Sequence, residues 1–444
     1  MKRTFLGAGV PGSFPLALAV GTLFLMVETG RTAVPTSVAS ASSTSADTSP
    51  QGAIDGDRFS ALGKAAWKGK AGEDRWWWQI QFSEPRRIGA ILQIIGDHPT
   101  VLRNAPRRYF WSWSDGVFWH KLRETETLAE RRLFRIHRLR EPVVARALRL
   151  QILDAYGEAP TLREAEFYAE TGAPIPFDDW IVAVSTSEKS TLPAGGQQFI
   201  QLAHACKGWE SLQAQEIWLG SFDEAFVATE PRPLCAFLTG NSEPWCQKMQ
   251  EPWRGTQEIL QKRNLPLWAS CGGAQGLALL QEFGLDRPWD CPCCRDPKNP
   301  LSPIYTHIGY TSTSKPVCGD TRNNIFERGK CNVLQVADDP VFAGLPAEFE
   351  IMESHCGQID YVPKGWIRVV TRGTGGHTIN QCLRIKDRHI YAAQFHMEMK
   401  GTPENSRTIM SNFLSLAKKW GGYNPHGKPV PEPTAITSAG APHQ

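Results

Sequence analysis

Beyond residue 40, apolar positions fall into two rhythms. Up to about Tyr168 they come in short alternating runs divided by turn residues: Trp76–Phe82, Ile88–Ile95, Tyr109–Trp113, Leu133–Leu139 and Ala147–Leu153. A period of two marks half-buried strands. Many such runs with no long helical pattern between them predict an all-β sandwich or barrel. The stretch Glu170–Phe177, with Gly172, Pro174 and Pro176, reads as a linker. After it the rhythm changes. Trp180–Val184, Leu234–Leu238 and Leu265–Ala269 are continuous apolar runs, as in fully buried strands, and Gln197–Ala205, Gln257–Arg263 and Ala274–Phe283 have helical character. Strands alternating with helices predict an α/β domain on a mostly parallel sheet.

The ends of the chain read differently. Lys2 and Arg3 precede an apolar run from Phe14 to Val27, and Ser37 and Ala39 offer small residues for cleavage. The run falls short of the roughly 20 residues a spanning helix needs. Residues 1–40 are therefore expected to be a secretory signal peptide, with an uncleaved membrane anchor as the alternative. Either places the chain in a secreted or periplasmic location. The expected division is signal peptide 1–40, β domain 41–170, linker 171–178, α/β domain 179–420 and a disordered Pro/Gly/Ala-rich tail 421–444. Net charge is +3, from 48 basic and 45 acidic residues, which gives no case for a nucleic-acid partner.

All 11 cysteines lie at or after Cys206. An odd number in an exported chain leaves at least one thiol unpaired, and the rest are expected to form disulfides. Cys291, Cys293 and Cys294, with His307 or Cys318, could in principle hold zinc. The C-x-C-C spacing is not a standard zinc pattern, and disulfides are favoured in an oxidising compartment. In the β domain, Asp55 and Asp57 around Gly56 could offer oxygens to calcium; a simple Asp-Gly turn accounts for them as well. No metal or cofactor is expected. Arg131, Arg132, Arg135, Arg138 and Arg140 read either as a surface for acidic glycans or as a solvated strand face. Of Trp76, Trp77 and Trp78, alternation turns the outer two to the core and the middle one to the other side.

The sharpest chemical signal is Trp268-Ala269-Ser270-Cys271-Gly272-Gly273-Ala274-Gln275. A strand, a tight turn and a helix set Cys271 at an elbow, where small flanking residues avoid clashes. The helix N-terminus favours a thiolate there, and the Gly272 amide can point at a developing oxyanion. A thiolate needs a base and usually a group to orient that base. His396, after the strand Ile390–Gln394, is the candidate base, and Glu398 can return its carboxylate to the imidazole.

These two segments resemble class I glutamine amidotransferases. That family has an elbow G-x-C-x-G-x-Q and a late Q-F-H-P-E, which read here as Ala269 to Gln275 and Gln394-Phe395-His396-Met397-Glu398. Ala343-Gly344-Leu345-Pro346, Glu353-Ser354-His355 and Val362-Pro363-Lys364-Gly365-Trp366 match intervening family stretches, and Leu238-Thr239-Gly240-Asn241 matches its Gly-rich loop. The resemblance spans roughly Asp179 to Trp420. It implies a flavodoxin-like parallel sheet carrying a nucleophile elbow. It also implies a triad of Cys271, His396 and Glu398, oxyanion amides from Gly240 and Gly272, and substrate contacts from Gln275. His355 is expected to line the pocket or to be structural. Met397 in place of Pro is expected to loosen its turn.

The segment Ser42–Glu170 resembles a discoidin domain, the coagulation factor five/eight type C module. The matches are Ala53-Ile54-Asp55-Gly56-Asp57, Trp77 to Phe82, Ser114-Asp115-Gly116-Val117-Phe118-Trp119, Ala145 to Leu150 and Glu164-Ala165-Glu166-Phe167. This implies a galactose-binding-like jelly-roll sandwich that meets a carbohydrate or cell-surface ligand through loops at one end. Together the two resemblances predict an exported thiol hydrolase acting on a glutamine or γ-glutamyl-type amide in a small molecule or peptide. Hydrolysis is favoured over ammonia transfer, because no synthase domain is visible in the chain. The alternative is a catalytically silent carbohydrate- or surface-binding protein on an amidotransferase scaffold.

Overall fold

The computed structural model describes residues 37–59, 65–187, 194–240, 250–262, 265–285, 308–310, 327–355, 357–359, 362–374 and 377–422. Residues 1–36 of the expected signal peptide, most of the tail, and Cys246, Cys291, Cys293, Cys294, Cys318 and Cys356 lie outside these residues, whereas Val38, Ala39 and Ser40, expected at the end of that peptide, belong to the first strand of the sandwich. Among the described residues no helix is long and apolar enough to cross a membrane.

The first domain is an all-β sandwich built from β1 (Val38–Ala41), β2 (Trp67–Lys68), β3 (Trp76–Ile95), β4 (Ala105–Ser114), β5 (Trp119–Thr127), β6 (Phe134–Tyr156) and β7 (Thr161–Tyr168). Hydrogen bonding joins them in the order β2-β7-β3-β6-β4-β5, with β1 on β3. Runs that the sequence separates are single long strands here. β3 unites Trp76–Phe82 with Ile88–Ile95, and β6 unites Leu133–Leu139 with Ala147–Leu153. Both pass from one layer to the other where their pairing slips, between Gln81 and Arg86. Ser83-Glu84-Pro85 thus bends a strand instead of ending it, at a slip where Pro85 owes no ladder hydrogen bond. Trp76 and Trp78 point into the core with Trp67 and Trp111. Trp77 lies on the opposite face under the Arg149 guanidinium, 4.8 Å from its ring centre.

The second domain holds a sheet in the order β14-β13-β16-β17-β18-β11-β10-β8-β9. Its parallel half comprises β8 (Trp180–Ser185), β9 (Gln213–Trp218), β10 (Cys235–Leu238), β11 (Leu267–Ser270) and β18 (Ile390–Ala393). In chain order these five are arranged 2-1-3-4-5, the flavodoxin-like winding. β13 (Glu327–Gln335), β14 (Glu348–His355), β16 (Trp366–Thr374) and β17 (His377–Ile385) extend it antiparallel. Short β12 (Ile308–Tyr310) and β15 (Gly357–Ile359) pair apart from it. Strict alternation divides the buried strands between two cores. Ile181, Ala183, Phe237 and Trp268 meet α1 (Ala194–His204) and α5 (Asn405–Trp420). Val182, Val184, Leu238 and Ala269 meet α2 (Glu224–Ala228), α3 (Arg254–Lys262) and α4 (Gly272–Phe283).

Three of the five arginines are neither a glycan surface nor a solvated face but join the two domains, while Arg135 pairs with Glu130 inside the sandwich and Arg140 is exposed. Arg131 pairs with Asp223 at 2.6 Å and Arg138 with Glu230 at 2.6 Å. Arg132 is 1% exposed and donates to the carbonyls of Phe226, Thr229 and Pro231. Its guanidinium lies 4.7 Å from the Trp180 ring centre. Burial, then the neighbouring Arg135, pushes Arg132 down to about 9. Ile94, Leu133 and Phe134 of the sandwich belong to the same apolar cluster as Trp180 and Phe226. The linker is held too: Thr171 and Ala173 carbonyls accept from Arg138, and Phe177 packs on Phe134.

The cysteines answer one expectation. Cys206, Cys235, Cys271, Cys331 and Cys382 are thiols, not disulfide halves. Cys206, Cys235 and Cys382 are buried among apolar side chains, which pushes all three thiols up and makes them inert packing residues.

Replacing Arg132 by Met keeps the volume but leaves the Phe226 and Thr229 carbonyls without this donor. The loss should be about 3 kcal/mol. In urea the wild-type chain should unfold in one transition, and Arg132→Met should separate a sandwich transition from an α/β transition.

Candidate active site

Three strands end side by side at the site. Cys271 follows β11 directly and precedes α4, at φ 49° and ψ −113°. A non-glycine residue in that region is strained, and the elbow tolerates it because both sides are pinned. The Cys271 amide donates to the Ala393 carbonyl at 2.7 Å, and the Cys271 carbonyl accepts from the Gln275 amide at 3.0 Å. The sulfur is 3.8 Å from the Ser354 carbonyl of β14.

His396 follows β18, and its amide donates to the Met352 carbonyl at 2.9 Å. Its Nδ1 is 2.7 Å from Glu398 Oε1, which leaves Nε2 to Cys271, its other hydrogen-bond partner. Burial pushes the imidazole down, but the Glu398 carboxylate and the bonds to Cys271 and Glu398 outweigh it and hold His396 well above the ordinary histidine range. Met397, between His396 and Glu398, is fully buried in the α1/α5 core.

Gly240 lies in the loop after β10, close to both His396 and Cys271. A Cβ there would lie 2.8 Å from His396 Cε1 and 3.5 Å from Cys271 Cβ. Thr186 Oγ1 holds this loop through the carbonyls of Thr239 (3.1 Å) and Gly240 (3.3 Å). Gly272 opens α4 beside the sulfur. Gln275 is buried one turn into α4, its Nε2 3.3 Å from Gln394 Oε1, so it braces the floor behind the site. Alternation on β14 turns Glu353 and His355 inward, with His355 Nε2 3.7 Å from Glu353 Oε1, while Met352 and Ser354 face the other way. The Glu353-Ser354-His355 motif thus meets the sulfur through a Ser354 backbone carbonyl, which residue types alone do not reveal.

A model of the F5/8 type C domain matches residues 38–167, and a model of the class-I glutamine amidotransferase matches residues 251–416. The chain carries an F5/8 type C domain followed by a class I glutamine amidotransferase domain. The GMP synthase [glutamine-hydrolyzing] of Thermosipho africanus is 37% identical over 87 residues, 20% of this chain and 16% of that protein. Its Thermomicrobium roseum counterpart is 40% identical over 88 residues, 20% of this chain and 16% of that protein. The match therefore spans about one-sixth of these relatives' own length. Among solved structures, a GMP synthase component from Thermoplasma acidophilum covers 56% of this chain and 98% of its own, at 18% identity and TM-score 0.39. The family 32 CBM of C. perfringens NanJ, solved with galactose, covers 30% of this chain and 92% of its own, at 14% identity and TM-score 0.26.

In the F5/8 type C domain, Asp55 Oδ1 accepts the Asp57 amide at 2.8 Å and Asp57 Oδ1 the Phe59 amide at 3.3 Å, a run of Asp turns. The surprise beside them is Glu164, 2% exposed, whose Oε2 accepts the Gly56 amide at 3.2 Å. Burial, then the nearby Glu166, pushes its carboxyl up to about 9. A group raised on folding stabilises fully below its unfolded value of about 4.3, and that contribution is lost as pH rises through 9. In EDTA-containing buffer, the thermal midpoint of Glu164→Gln should therefore gain on wild type from pH 5 towards pH 9, as read by calorimetry.

In the amidotransferase domain, Gly240→Ala should displace the His396 ring. Amide turnover should fall about 100-fold while the fold, followed by circular dichroism, stays intact.

Proposed function

We propose that this chain is an exported thiol hydrolase that cleaves a glutamine or γ-glutamyl-type amide through Cys271, His396 and Glu398. The supporting observation is the seating of all three groups, with Gly240, at the carboxyl ends of adjacent parallel strands, where ligands enter such sheets.

Cys271 sulfur, as thiolate, attacks the amide carbon. The new oxyanion is met by the Gly240 and Gly272 amides. His396, holding the thiol proton on Nε2, gives it to the leaving nitrogen as the C–N bond breaks, and ammonia or an amine departs. The acyl group then sits on sulfur as a thioester. Water yields a proton to His396 and attacks, the C–S bond breaks, and the carboxylate leaves with Cys271 restored. Glu398 holds the imidazole through Nδ1 at every stage. The F5/8 type C domain directs the enzyme to a carbohydrate or other surface ligand. No nucleic acid and no cofactor enter the reaction.

The test is hydrolysis of glutamine and of γ-glutamyl peptides by the purified protein beside Cys271→Ser. Release of ammonia or amine should fall at least about 1,000-fold in the variant. Equal turnover by both proteins, or binding of soluble glycan with no turnover of any amide by a folded wild type, would favour the silent surface-binding scaffold.

A further inference from the structure

The hydrogen bonds around Glu398 continue past His396. Glu398 Oε2, the oxygen not used by the imidazole, lies 3.2 Å from Ser270 Oγ, which donates to it. Ser270 in turn accepts from Trp268 Nε1 at 3.2 Å. Trp268 and Ser270 are two residues apart on β11, so both point to one face of the sheet, and both are fully buried. The indole has little freedom. Its ring lies 5.6 Å from Tyr391 in a stacked pair and 5.9 Å from both Phe395 and Phe413 edge-on.

This arrangement fixes a direction for each proton. Trp268 N–H is a donor only, so Ser270 Oγ must accept from it. The Ser270 hydroxyl hydrogen is then left for Glu398. A buried carboxylate held by one oxygen can swing about its own axis. Held by both, it presents Oε1 to His396 in a single pose.

We propose that Ser270 is a positioning residue of the site: its hydroxyl, aimed by Trp268, locks the Glu398 carboxylate so that His396 keeps Nδ1 on Oε1 and Nε2 on Cys271. The proposal rests on the reading of Cys271, His396 and Glu398 as the reacting set. His396 and Ser270 face Glu398; Cys271 faces the His396 imidazole, and the Met352 carbonyl accepts only from the His396 backbone amide. Ser270 precedes the nucleophile in sequence and reaches the third triad member, so the strand that carries the nucleophile also carries the brace of its base.

The experiment follows alkylation of Cys271 by iodoacetamide across about pH 5–10, read on the Cys271 peptide by mass spectrometry, so that no substrate need be known. In Ser270→Ala the pH midpoint for alkylation should rise by about one unit, slowing reaction about tenfold at pH values below the wild-type midpoint. Ser270→Thr, which keeps the hydroxyl, should return the midpoint to the wild-type value. Trp268→Phe, which keeps the ring and removes the donor, should shift it by less than Ser270→Ala. A merely structural role would lower the folded fraction without moving the midpoint. A Ser270→Ala curve lying on the wild-type curve overturns the proposal and leaves the triad standing. So does a Ser270→Thr curve lying on that of Ser270→Ala. If Ser270→Ala does not fold, Trp268→Phe decides alone, a shift supporting and an unmoved midpoint overturning. A wild-type Cys271 that reacts no faster than an unfolded thiol, and is indifferent to His396→Ala, removes the triad and this proposal together.

Discussion

Register between three parallel strands is the constraint on which the site depends. Leu238 of β10 is level with Ala269 of β11, and Ser270 with Ala393 of β18. Two residues past the first pair come Gly240 and Cys271. Three past Ala393 comes His396. Side chains that must touch therefore leave the sheet at one height, and the backbone decides this before any side chain is chosen. A slip of one residue in β18 would turn His396 to the wrong face and bring Met397, now buried in the α1/α5 core, to the sulfur.

The same logic explains the strain at Cys271. Its positive φ sits between a fixed strand end and a fixed helix start, tied by the Ala393 and Gln275 bonds. Neighbouring side chains must be small for this to fit. A Cβ at Gly273 would come 2.7 Å from the Thr239 carbonyl. The glycines around the nucleophile are thus spatial requirements of the loop after β10, not general flexibility.

Much of this was legible in the residues. Fully buried strands announce themselves as unbroken apolar runs, and the elbow and the late His-Met-Glu mark residues that the structure seats side by side. What the sequence hid has physical causes. The bends in β3 and β6 look like turns because Ser83-Glu84-Pro85 and Glu141-Pro142 are turn chemistry used within strands. The antiparallel strands β13 to β17 carry polar residues at alternate places, as Glu348–His355 shows, and such half-exposed strands are quieter than buried ones. Helix α5 had the signal, in Ile409, Met410, Phe413, Leu414 and Ala417, but no motif drew notice to it. Arg131 and Arg132, just before β6, and Arg138 within it misled because charge reads as surface. Arg132 is held instead by backbone carbonyls of a domain far along the chain, and no local pattern encodes that.

That burial has a consequence for how the molecule works in place. With Arg132 sunk among carbonyls of the second domain and Phe177 wedged against Phe134, the two halves pack directly on each other. A flexible tether would let an enzyme sample every direction around its point of attachment. Here the ends of β10, β11 and β18, where Cys271 and His396 sit, keep a set height and angle relative to the sandwich.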